Sequence, residues 1–265
     1  MFSLSGMEWA LVLTSALFIG LSKTAISGLG LLMVIMMAMV FPAKESTGIV
    51  LPLLVFGDVF AVAFYRRHGN LKVVLRLLPF AVAGVVVGFL FMGRIDDVKL
   101  RRIIGWVVLL MIAGNLLLKL RARGAKTLGL HFAAPWERGP WMRSTWVQGT
   151  GVRSTLGVFA GFTTMIANAA GPVMTVYLEA MGVKKEEFVG TMAWFFAVVN
   201  LVKVPFSVRL GLVTGESLGF GLPLLPVILA GAVGGYFALK AVPQKAFDIS
   251  VQALAAVSAI HLVAM

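Results

Sequence analysis

Three ionisable residues stand well inside apolar runs of this chain: Lys23, Asp58 and Lys203. A charged side chain at the centre of a bilayer costs about 2.5–3.5 kcal/mol even on the lenient insertion scale, so a functional or paired role is the default for each. Lys23 brings an ammonium that either neutralises a bound anion or pairs with Asp58. Asp58 reads equally as a proton relay and as half of a structural Lys–Asp pair. Lys203 lies nearer a segment end, where a long stem lets the ammonium snorkel to the interface, and the structural reading is favoured there. Neutral donors surround these charges. Ser22, Thr24, Ser27, Gly28 and Gly30 flank Lys23; Thr163, Thr164, Asn168, Gly171 and Pro172 form a second polar interruption; Asn200 falls next to the position that matches Asp58. Ammonium, hydroxyl and amide donors gathered in an apolar setting suit the binding of an oxyanion.

The two interruptions are related. At a constant offset of 141, the stretch FIGLSKTAISGLGLLMVIMMAMVFPAKE (18–45) matches FAGFTTMIANAAGPVMTVYLEAMGVKKE (159–186): Phe18 meets Phe159, Gly20 meets Gly161, Gly30 meets Gly171, Met33 meets Met174 and Glu45 meets Glu186. Ser22 then faces Thr163, Lys23 faces Thr164, and Ser27 faces Asn168. Glycines in membrane helices often serve only close packing, and a hydroxyl often bonds a carbonyl one turn back. Two interruptions in corresponding positions argue for more, because backbone that leaves helix geometry inside hydrocarbon must be satisfied by protein, ion or water and so usually lines a cavity. Glycine allows close approach of backbone to a ligand, helix N-termini present N–H donors and partial positive charge, and Pro172 suits the first turn of a resumed helix.

The elements that must position these groups are membrane helices. Of 265 residues 60% are hydrophobic and 13% charged, with mean hydropathy +0.97; a soluble domain carries about a quarter charged residues. At roughly 20 residues per span the chain has room for about eight segments and no separate catalytic domain. The net charge of +12 sits in short loops between apolar runs rather than on a stripe or a nucleic-acid module, so it reads as topogenic. The chain has no cysteine, which excludes disulfides, Cys-ligated zinc and thiol catalysis. The first residues, MFSLSGMEWALVLTSALFIGLSK, lack a basic n-region and a small-residue cleavage site and are read as a retained membrane segment.

Apolar segments run over 8–21 and 29–41, each short of a comfortable span, and read as a broken or re-entrant pair. Full spans follow over 47–65, 73–92 and 103–118. After residues 121–153, which mix Trp136, Trp141 and Trp146 with Arg138, Arg143 and Arg153, the pattern resumes with a second broken pair over 156–181 and spans over 188–208, 218–239 and 247–263. The later spans match at an offset of 147, Pro79 with Pro226, Gly84 with Gly231 and Gly88 with Gly235. The basic clusters at 66–72 and 119–153 belong on the cytoplasmic side. The expected fold is therefore an all-α polytopic membrane protein of two inverted-topology repeats, 1–120 and 154–265, each with a broken helix pair and about three full transmembrane helices. A basic, Trp-rich interfacial linker at 121–153 joins them, with a lipid-binding role as its lesser reading.

Enzyme signatures are poor. His68, His131 and His261 have no carboxylate spacing that makes a metal site or a triad, and Glu186 and Glu187 read as helix-start carboxylates. No cofactor or metal is called for. The stretches GLSKTAISGLG and FPAKESTGIVLPLLVFGDVFAVAFYRRH, with NAAGPVMTVYL and EEFVGTMAWFFAVVNLVKVPF, resemble the TauE/SafE family of sulfite and organosulfur-anion exporters of bacterial inner membranes. The likeness covers most of the chain outside the linker, although the glycine runs are thinner than the family usually shows. It implies a multi-pass inner-membrane transporter exporting sulfite or a sulfonate such as sulfoacetate. Ser22, Lys23, Thr24, Thr163, Thr164 and Asn168 are the expected donors, and motion of one half against the other gives alternating access. The expected partners are a small anion and the lipid bilayer, with no nucleic acid and with homo-oligomerisation open. A channel or a permease for another small anion is the alternative; a membrane-bound enzyme lacks a convincing catalytic set.

Overall fold

Helix boundaries follow the prolines, glycines and capping side chains of the chain. The computed structural model describes residues 4–24, 29–127, 149–181, 183, 185–238 and 260. The helices are α1 (Gly6–Thr24), α2 (Leu29–Val40), α3 (Ala43–Tyr65), α4 (Leu71–Met92), α5 (Asp97–Thr127), α6 (Thr150–Ala167), α7 (Gly171–Met181), α8 (Lys185–Arg209), α9 (Gly215–Gly221) and α10 (Leu225–Ala238), with a 3-10 turn at Leu222–Leu224 between the last two. No strand occurs among the described residues. Pro42 separates α2 from α3, since a proline cannot continue the hydrogen-bond ladder of the helix before it. Asn70 caps α4 by accepting from the Val73 amide, and Thr214 with Ser217 forms a capping box at α9.

Among the described residues four runs are long and apolar enough to cross a membrane: Ala43–Tyr65, Leu71–Met92, Glu187–Arg209 and Gly215–Phe237. They meet the expected spans to within a few residues. One boundary differs more. α5 was expected over 103–118 but starts at Asp97 and continues to Thr127, into the expected linker. Asp96 accepts from the Lys99 amide at 2.8 Å and caps the helix, so its first turn is charged and invisible to hydropathy. Hydrogen bonds from Lys99 hold the exposed Asp96 carboxyl below its ordinary range. The remaining linker residues 128–148 and nearly all of the expected span 247–263 lie outside the described residues.

Glycines decide how the helices meet. In lipid no hydrophobic force drives helices together, so association rests on close van der Waals contact. Gly20 brings α1 against the Ile228 carbonyl and Ala232 amide of α10, and Gly161 brings α6 against the Ala81 carbonyl and Val85 amide of α4; a methyl group at either glycine would collide with backbone. Gly231 meets Leu17 while Gly84 meets Val158, and Gly235 meets Leu21 and Thr24 while Gly88 meets Phe162 and Met165. Under the offsets read from the sequence, 141 for α1 onto α6 and 147 for α4 onto α10, each of these partners maps onto its counterpart. α1 thus packs on α10 as α6 packs on α4, and α3 and α8 pack on each other between them.

Candidate functional site

α3 and α8 carry the centre of the polar cluster. Asn200 of α8 donates from Nδ2 to Asp58 Oδ2 of α3 at 2.7 Å, with both residues buried. An offset of 142 aligns Gly48 with Gly190 and Asp58 with Asn200, so the two counterparts touch each other. Lys23, in the last turn of α1, reaches across to the other oxygen of Asp58 at 2.6 Å. Its stem runs beside Gly57, where an added Cβ would lie 3.3 Å from Lys23 Cγ, so a larger residue there would crowd the lysine. The Lys23 ammonium also sits 4.6 Å from the centre of the Phe196 ring, a cation–π contact that gains strength where water is excluded.

Lys203 lies on the opposite side of this pair, wholly buried. Its ammonium donates to Asn168 Oδ1 at 2.5 Å, to Thr164 Oγ1 at 3.2 Å and to Asn200 Oδ1 at 3.4 Å. Lys203 does not snorkel to the interface: as a buried charge it is held inside by three acceptors from α6 and α8, which offset its desolvation. α6 ends where it does because Asn168 adopts the left-handed conformation, φ 52°, ψ 29°, which asparagine tolerates better than most residues. The Asn168 amide closes onto the Thr164 carbonyl at 3.0 Å, the single bond of a left-handed cap, and the Ala169 amide reaches the Thr163 carbonyl at 3.3 Å. The same turn aims the Asn168 side chain inward, where Nδ2 donates to the Thr47 carbonyl at 3.4 Å.

A cavity of about 50 Å³ opens on this cluster. Of the residues singled out from the sequence, Ser22, Lys23, Gly30, Thr164, Asn168, Gly171 and Asn200 line it, with Pro172 from the start of α7. Its apolar wall comes from Leu31, Met33, Leu54, Met192 and Phe196. Asp58 and Lys203 stand behind the wall, bonded to lining residues. Three expected donors are engaged elsewhere. Ser22 Oγ, though it lines the cavity, donates to the Ile19 carbonyl at 2.9 Å. Thr24 Oγ1 donates to the Ala232 carbonyl at 2.9 Å and joins α1 to α10, while Thr163 Oγ1 donates to the Phe159 carbonyl at 2.8 Å one turn back. The Thr24 carbonyl in turn accepts from Tyr65 at 2.9 Å. Ser27 and Gly28 lie outside the described residues. Phe196 was not singled out in advance, although the spacing of Phe196, Asn200 and Lys203 places all three on one face of α8.

Among the described residues no group of three or more His, Asp or Glu side chains is arranged to hold a metal. Buried ammonium groups, amides and hydroxyls around a small cavity in a bundle of apolar helices define a membrane protein built to handle a small polar solute. Residues 12–262 match the family described as Sulfite exporter TauE/SafE, and the chain belongs to that family. It is accordingly a membrane permease of the sulfite and organosulfur exporter type, from a family of transporters. No curated protein and no solved structure matches the chain.

Proposed function

We propose that this protein is a secondary transporter that exports a small sulfur oxyanion across the bacterial inner membrane, with the anion held in the cavity beside Lys23. The observation that carries the reading is an ammonium, a hydroxyl and an amide, from Lys23, Thr164 and Asn168, facing one cavity of about 50 Å³. At about 10–15 Å³ per water-sized occupant, that space suits a small anion of sulfite's size better than a larger organosulfonate such as sulfoacetate. The first turn of α7 adds N–H groups that lack an acceptor within their own helix, while Ser22 lines the space with its hydroxyl spent on the Ile19 carbonyl. Thr24 and Thr163 act in this reading as supports, because their hydroxyls are spent on carbonyls.

Alternating access would follow from the repeat. The matched glycine contacts of α1 on α10 and α6 on α4 are what two halves of inverted topology would make, with interrupted helices α1–α2 and α6–α7 meeting near the midplane. Rocking one such pair of packed helices against the other would expose the cavity to each side in turn. Asp58 is a proton-coupling candidate within this scheme, since among the described residues it is the carboxylate that reaches the lysine of the cavity.

The test is flux into proteoliposomes with sulfite, sulfoacetate, taurine and sulfate, for the wild type and for Lys23→Ala and Asn168→Ala. The expected result is saturable sulfite flux that both substitutions depress strongly. Flux unchanged in both variants would remove the site assignment, and flux that rises linearly without saturation would replace the carrier by a channel.

A further inference from the structure

We infer that the site takes its anion singly charged, as hydrogen sulfite or another monoanion, and discriminates against dianions. This rests on the proposed oxyanion site and concerns the charge state of its occupant. The cluster holds two ammonium groups and one carboxylate: Lys23 from α1, Lys203 from α8 and Asp58 from α3. α2, α10 and the C-terminal half of α6, packed around them, contribute no charged side chain. α6 ends and α7 begins beside the cavity, so helix ends of opposite partial sign meet there and the whole charges decide the sum.

The hydrogen-bond partners of Lys203 accommodate a cation in this arrangement. Asn200 is oriented by Asp58, a carboxylate that only accepts, and Asn168 is oriented by the Thr47 carbonyl, which likewise only accepts. Both amides therefore turn their Oδ1 toward Lys203, and Thr164 Oγ1 makes a third partner. With the Thr164 hydroxyl accepting, the three partners take the three N–H bonds of an ammonium. With Lys203 protonated and Lys23 paired to Asp58, the cluster carries one positive charge in excess.

Inside a membrane such an excess is costly, and one negative charge removes it. A monoanion brings the site to neutrality. A dianion leaves it one charge negative, with Asp58 behind the cavity wall adding to the repulsion. Lys203 also explains how a repeat with a lysine in only one interruption gains a second cation. The counterpart of Lys23 is Thr164, and the Lys203 ammonium sits on that threonine and on Asn200, the counterpart of Asp58. Two ammonium groups thus flank the Asp58–Asn200 pair, one from each half.

The test uses reconstituted full-length protein and two competitors of fixed charge against sulfite flux: chlorate, a pyramidal monoanion shaped like sulfite, and sulfate, a dianion. In the wild type chlorate should inhibit at least about tenfold more strongly than sulfate. Asp58→Asn raises the site charge by one and should shrink that ratio by about tenfold or reverse it. Sulfate matching chlorate in the wild type overturns the inference by itself, whatever the variant does. So does a ratio left unmoved in an Asp58→Asn protein that still carries sulfite. Absence of sulfite flux in the wild type would instead sink the underlying transport reading, so the two failures are told apart.

Discussion

Asn168 performs a backbone task and a side-chain task at once, and two substitutions separate them. Its left-handed conformation ends α6, and its amide accepts from Lys203 and donates to the Thr47 carbonyl. Asn168→Gly removes the amide and keeps an easy left-handed turn; Asn168→Ala removes both. The lost charge-assisted bond from Lys203 costs about 1.5–3 kcal/mol, and the longer bond to Thr47 adds about 1 kcal/mol at most. Alanine pays a further ~1–2 kcal/mol for the left-handed conformation, reduced by the greater entropy of glycine in the unfolded chain. The glycine variant should therefore be destabilised by about 2–4 kcal/mol and the alanine variant by about 1 kcal/mol more. Equilibrium unfolding in mixed micelles measures the stability order, and proteoliposome flux measures the site. Both variants should lose most sulfite flux, because both leave Lys203 without its shortest bond. An alanine variant as stable as the glycine variant would refute the role given to the left-handed turn. A glycine variant with wild-type stability and flux would refute the weight given to the Lys203–Asn168 bond.

Gly20→Ala and Gly161→Ala place a methyl against equivalent backbone atoms, so each should destabilise by at least about 1–3 kcal/mol and by similar amounts, whereas Gly30→Ala meets open space and should be close to neutral in stability; thermal unfolding in detergent ranks the three. Phe196→Leu keeps the apolar wall but removes the ring beside the Lys23 ammonium, and a loss of about 1–2 kcal/mol would raise the half-saturating sulfite concentration roughly five- to thirtyfold at unchanged protein stability.

Much of the site was legible in the sequence because charge and hydrocarbon are incompatible. Lys23, Asp58 and Lys203 stood out for that reason, and Lys23 with Asp58 is indeed an ion pair in the folded chain. The fate of Lys203 was not legible. Its distance from a segment end describes one helix, while the acceptors that hold it, Asn168 and Thr164, come from another. Thr24 and Thr163 show the same limit. A hydroxyl in a broken apolar run can face a cavity or bond to a main-chain carbonyl, and only the rotation of its helix against α10 or α4 selects between them. Phe196 escaped notice because an aromatic residue in a membrane helix is ordinary until a cation is found above it.

By itself the sequence determined that this is a helical membrane protein, that its two halves share glycines at constant offsets, and that three costly charges stand inside apolar runs, one of them, Lys23, in an interruption. Those properties depend on composition and spacing, which the chain carries before it folds. Only the tertiary structure decided that Asp58 bonds its own counterpart Asn200, that Lys203 supplies the second ammonium, and that the polar groups converge on one small cavity. The reason is geometric. Each of those bonds joins different helices, and their register is set by where a bare glycine lets one backbone rest against another.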